Sequence, residues 1–253
     1  MRVLWCLFLF FFVFGLQQMM NVLVYICLPP EWLQHFTYLV IHAVYLGAVI
    51  QLIKHENSDF QKYGFWWPEN SGKYISISAL LAIAHFFITI FLPGSFMGFE
   101  LLPPVPQASL EFMEILLTSI ASESIFRGYI QGNLTRIYGF LPALGVTSLM
   151  FSLYGLQLPS LLSFDLTFFF TDIASLFIAG VFLGIFFQKT MTLVCPVTFY
   201  GILLLSHRLT TLKAITTTYL ALFFDVIAYG FLILLVYDLT RKKFFGAIEE
   251  ETA

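Results

Sequence analysis

Long apolar runs separated by short polar segments organise this chain. Runs close to 20 residues recur along the whole length, at roughly 3–28, 33–53, 74–92, 110–126, 141–157, 166–188, 191–206 and 217–239. A helix needs about 20 apolar residues to cross the hydrocarbon core of a bilayer. Only structures that satisfy their own backbone hydrogen bonds can do so. The pattern predicts an all-α fold: a polytopic transmembrane helical bundle of about eight spans. The first run, MRVLWCLFLFFFVFGLQQMMNVLVYICL, begins like a secretory signal. No small-x-small cleavage site follows its Phe-rich stretch, and apolar character resumes after Asn21, so it reads as a retained first span. Between spans, 54–73 ends near Trp66 and Trp67, a pair suited to the headgroup layer. The stretch 93–109 holds Pro93, Pro103, Pro104 and Pro106, and predicts a rigid outer loop with no helix of its own. No repeat or soluble insertion interrupts the pattern, so residues 1–253 read as a single membrane domain.

Composition narrows the class. The chain is 59% hydrophobic and 11% charged, against about 25% charged in soluble domains. Charge position says more than net charge. With a cytoplasmic N-terminus, the inner segments carry Arg2, Lys54, Lys62, Lys73, Arg127, Arg136, Lys189, Arg241, Lys242 and Lys243. Only Arg208 and Lys213 fall outside, the asymmetry that the positive-inside rule requires. Both termini are therefore expected in the cytoplasm. Cys6, Cys27 and Cys195 occupy different runs without metal-ligand spacing and read as small hydrophobes. No cofactor, metal or nucleic acid is expected; the bilayer is the evident partner.

The stretch SESIFRG, 122–128, places Glu123 and Arg127 four residues apart at the end of an apolar run. Ionised groups are costly in a membrane. The spacing puts both on one helix face, the acid N-terminal to the base, which is the better order for pairing. Alone, the pair reads as an ion pair in the last turn of the fourth span, near the cytoplasmic surface.

The longer stretch SESIFRGYIQGNLTRIYGFLPALGVTSLMFSLYGL, 122–156, resembles the central block of the CAAX-prenyl-protease and bacteriocin-processing (CPBP, or Abi) family of intramembrane endopeptidases. FIAGVFLGIFFQKTMTLVCPVTFYGILLL, 177–205, resembles that family's next hairpin. The marks are FRG, Phe151, Leu183-Gly184, Lys189-Thr190 and Pro196, in family order. The resemblance implies an eight-span fold with a core at about 108–206 and a site opening to the cytoplasm. It also implies peptide hydrolysis, in which a Glu activates water, a His helps hold that water, and a further His and an Asn stabilise the oxyanion. Matched residue by residue, those four positions hold Ser122, Gly155, Tyr200 and Leu204. Glu123 and Arg127 survive from the motif.

Three groups of residues are candidates to replace the missing chemistry. Glu123 points about 100° away from Ser122 on a regular helix, and pairing with Arg127 lowers its basicity. Ser122 lacks an adjacent base; Tyr200 is a poor one, and His207 lies at the outer end of the seventh span. Glu111 and Glu114 lie about 16 Å and 12 Å along the axis from Ser122. They are expected to face the outer loop or an internal cavity. A general base is worth about 10²–10⁴-fold in rate, and an oxyanion donor about 10²–10³-fold. The resemblance thus implies a protease-like scaffold with weak or no peptidase activity, binding a membrane protein or lipidated peptide. Two alternatives stay open: an active endopeptidase with altered residues, or a small transporter using Asp172 and Asp225. His42, His85 and the two aspartates otherwise read as helix–helix hydrogen-bonding groups. His35 and His42, seven apart with no acid between, make a poor metal site. The compact chain favours a bacterial inner membrane.

Overall fold

A computed structural model describes residues 2–97, 99–101, 108–156, 166–212 and 218–241. Eight main helices occupy the eight apolar segments. They are α1 (Arg2–Cys27), α2 (Glu31–His55), α3 (starting Ser71–Phe86), α4 (starting Ala108–Glu123), α5 (Phe140–Gly155), α6 (Leu166–Thr190), α7 (Val194–Leu209) and α8 (Thr218–Arg241). Among the described residues, five helical stretches are long and apolar enough to cross a membrane; α5 and α7 are shorter apolar helices. Large apolar side chains such as Leu4, Phe11, Leu80, Leu141 and Leu234 lie exposed on the outside, as a lipid-facing surface requires.

Two helices continue beyond their expected ends, each through a π turn. The α3 helix passes through Phe87–Phe91 and runs on as Leu92–Met97. The turn lies directly before Pro93, whose ring and missing N–H force a break in the hydrogen-bond ladder. The expectation of a helix-free loop from 93 is corrected accordingly. After Met97, β1 (Phe99–Leu101) pairs antiparallel with β2 (Thr210–Leu212), Glu100 opposite Thr211. Pro103, Pro104, Pro106, Lys213, Lys242 and Lys243 lie outside the described residues.

The α4 helix passes through a π segment at Ser124–Gln131 and continues over Gly132–Tyr138. SESIFRG therefore lies in the middle of a long helix, and the placement of Glu123 in a last turn is also corrected. This helix is central: α2 and α7 pack against Ala108–Glu123, while α5, α2 and α6 meet the π segment. Further out, α5 packs on α6, α7 on α3, and α8 on α6.

Contacts sort the connecting segments into two groups, one at each end of the bundle. At one end, Trp66 Nε1 donates to Met191 O (2.7 Å), Leu193 N to Gly64 O (3.0 Å), and Arg136 Nη2 to Lys62 O (2.8 Å). Gly64 holds a positive φ of 79°, and a Cβ there would lie 2.6 Å from the Phe187 ring. At the other end, Arg208 Nε meets Glu111 Oε1 at 3.6 Å beside the β1–β2 ribbon. This grouping is what successive end-to-end crossings produce.

Candidate functional site

The motif residues of α4 are turned into the protein. Ser122, Glu123 and Arg127 have no exposed surface. Ser122 Oγ donates to Thr118 O, one turn back, at 2.7 Å. Its hydroxyl is thus engaged by its own helix, with no base beside it to activate it. Arg127 Nε lies 3.4 Å from Glu123 Oε2. The guanidinium carbon sits 4.9 Å above the Phe151 ring, a cation–π contact. That ring in turn meets Phe126 and Tyr200 edge-on. Neither Glu123 oxygen and no Arg127 nitrogen has a hydrogen-bond partner among the described residues. The pair is joined by charge and by the aromatic face below it.

The other motif residues act as packing elements. A Cβ on Gly128 would lie 2.9 Å from Tyr63 O, so this glycine admits the 60–65 segment against α4. Gln131 Nε2 donates to Gly184 O at 3.0 Å, tying α4 to α6. Thr190 Oγ1 donates to Phe186 O at 2.8 Å and closes the end of α6. These marks hold the core together.

Three of the four substituted positions come together elsewhere. Gly155, Tyr200 and Leu204 line one cavity of about 580 Å³. The fourth, Ser122, does not line it, and neither does Glu123. Gly155 is closely packed: a Cβ there would lie 3.0 Å from the Leu176 side chain, which would have to shift to admit it. The cavity carries a polar lining of its own, from Glu114, His42, Tyr38, Tyr154 and Arg208. His42 Nδ1 lies 2.7 Å from Tyr38 O, so it donates there, and Nε2 is left to accept from the Tyr154 hydroxyl at 3.2 Å. Glu114 Oε2 contacts His35 Nδ1 at 2.5 Å. Glu114 Oε1 lies 3.9 Å from Arg208 Nη2, an ion pair beyond hydrogen-bond reach.

Local spacing could not reveal this cavity, because its polar groups come from α1, α2, α4, α5 and α7. The expectation that Glu114 faces a cavity agrees with its position. Leu28, Gln34 and Arg208 mark the cavity's end opposite Lys62 and Arg136. The family's glutamate position lies off the cavity, and its polar wall extends toward the α1–α2 turn instead.

A second, apolar groove of about 490 Å³ opens between α3, α4 and α7. Phe65, Trp66, Trp67, Leu116, Ile120 and Val197 are among its walls, and Ser124 lies in it. The membrane-depth groups noted in the sequence join helices. Asp225 on α8 accepts a short hydrogen bond from Ser175 on α6, and its other oxygen lies 4.0 Å from His85 Nε2 on α3. Asp172 lies one turn before Ser175 on α6. Among the described residues, no three His, Cys, Asp or Glu side chains converge on a metal position.

The fold defines a polytopic helical membrane protein. Residues 105–206 match the model of the Rce1-like family, described as type II CAAX prenyl endopeptidase Rce1-like. The match covers both blocks on which the resemblance to the CPBP endopeptidases was drawn. No curated protein matches the chain.

Proposed function

We propose that the protein is a membrane-embedded, protease-like scaffold. It engages a lipidated or transmembrane peptide without the family's glutamate-and-imidazole hydrolysis. One observation carries this reading: the cavity holds Gly155, Tyr200 and Leu204 where the resemblance asks for catalytic groups, while Ser122 and Glu123 lie off it. Peptide hydrolysis needs a base within about 3 Å of its water, with donors aimed at the developing oxyanion. Glu123 is committed to a buried pair with Arg127 and faces no space in which a water and a carbonyl could meet.

The apolar groove supplies the binding half of the proposal. The matched family acts on prenylated proteins by its description, and a prenyl chain needs a dry, aromatic-lined slot. The wall of Phe65, Trp66, Trp67 and Leu116 provides one beside the SESIFRG helix. Both termini are placed in the cytoplasm by the distribution of Lys and Arg, and a bacterial inner membrane is the proposed location. In that orientation the groove opens at the cytoplasmic headgroup level.

The test is photo-crosslinking of a farnesylated peptide bearing a diazirine to the purified protein in nanodiscs. Cross-links confined to residues 64–67, 116–124 and 193–198, and displaced by unlabelled peptide, are expected. Labelling no stronger than that of the unprenylated peptide contradicts the proposal.

A further inference from the structure

The polar cavity is not explained by a prenyl chain, and its charges are arranged in depth. Glu114 lies inside, its carboxylate about one-tenth exposed and held by His35. Arg208 lies at the mouth in the last turn of α7, its side chain about half exposed. Its contacts with Glu111 and Glu114, at 3.6 and 3.9 Å, are too long for hydrogen bonds, so the guanidinium keeps donors for another anion. The inner wall adds the aromatic rings and hydroxyls of Tyr38, Tyr154 and Tyr200.

An acid and tyrosine rings inside suit an ammonium group, which both the carboxylate and the ring faces attract. A guanidinium at the mouth suits a phosphate diester. The two lie in one cavity large enough for a small polar head. We propose that this cavity binds the zwitterionic headgroup of a phospholipid, ammonium inward at Glu114 and phosphate at Arg208. The mouth sits where α1 ends and α2 begins, the level at which lipid headgroups lie beside a spanning helix. Val24, Leu28 and Leu156 give that mouth an apolar border for the glycerol and acyl chains. Anionic lipid would engage Arg208 alone and bring no ammonium to Glu114, so the site discriminates by headgroup. The inference goes beyond the proposed function and depends only on the cavity.

The experiment uses the full chain in nanodiscs of phosphatidylethanolamine and phosphatidylglycerol in equal amounts, followed by native mass spectrometry of the lipid that stays bound. Phosphatidylethanolamine is expected to be enriched by about tenfold, a preference of about 1.4 kcal/mol. Arg208→Gln and Glu114→Gln are each expected to bring the ratio near unity. Thermal unfolding reports whether each variant is folded. Should Glu114→Gln fail to fold, the half-exposed Arg208→Gln decides. A wild-type ratio near unity overturns the proposal, as does an enrichment that survives in the folded variants. Soluble glycerophosphoethanolamine separates the two sources of this chemistry: saturable binding of the free headgroup without lipid enrichment overturns the lipid assignment. No readout involves cleavage or prenyl peptides, so this proposal and the preceding one fail separately.

Discussion

Glu123 and Arg127 form a fully buried pair at the i, i+4 spacing of one helix. A carboxylate and a guanidinium with no exposed surface, 3.4 Å apart, depend on each other to remain charged in the core. Removing one partner leaves an uncompensated buried charge, which costs about 3–5 kcal/mol. Arg127→Met is expected to destabilise by that amount in reversible unfolding in mixed micelles. Glu123→Gln/Arg127→Met is expected to recover most of it, because no lone charge remains. A loss below about 1 kcal/mol for Arg127→Met contradicts a structural role for the pair.

Sequence spacing was a good guide to that pair, since an i to i+4 acid–base pair on one helix needs no tertiary information. It was a poor guide to the cavity. Glu114, His42, Tyr154 and Arg208 stand on four helices and meet only after folding. His42 had the plain expectation of a helix–helix hydrogen bond, and it makes one, to Tyr154. The same imidazole also faces the cavity, which no spacing within α2 discloses.

At the scale of elements, the helices follow the apolar runs closely, because each run is long enough to form one helix and is bounded by polar or glycine-rich turns. Two ends were misplaced. The helix after Phe86 passes through a π turn that leaves no mark in an apolar pattern, while the one after Glu123 passes through a stretch rich in polar residues, SIFRGYIQ, where the apolar run ends although the helix goes on. Packing between elements rests on small residues. A Cβ on Gly180 of α6 would come within 3.1 Å of Ser148 Cα and 3.3 Å of Ser148 O on α5. Backbone has to move to admit it, so Gly180→Ala is expected to cost about 1–3 kcal/mol. Gly47 on α2 has nothing within 4 Å of its Cβ position. Gly47→Ala is expected to be neutral or to stabilise by up to about 1 kcal/mol through helix propensity. Equal unfolding midpoints for the two variants would contradict this account of the α5–α6 contact.

At the scale of the whole molecule, the connecting segments divide between two ends, and the proposed orientation rests on the positive residues. Burial of Arg127 removes one charge from that count without reversing it. In a Cys27→Ser background, Asn57→Cys is expected to react with a membrane-impermeant maleimide only after the cells are opened, and Glu31→Cys in intact cells. The reverse pattern would invert the proposed orientation and place the polar cavity on the cytoplasmic side.

Hydrolysis is the most direct test of the proposed loss of chemistry in the core. Purified protein in nanodiscs, in excess over a farnesylated or transmembrane peptide, is incubated for hours, and the peptide mass is followed against protein-free nanodiscs. The account predicts peptide that stays intact at the rate of the blank. A cleavage product that forms with the wild type and vanishes with Glu123→Gln would contradict it.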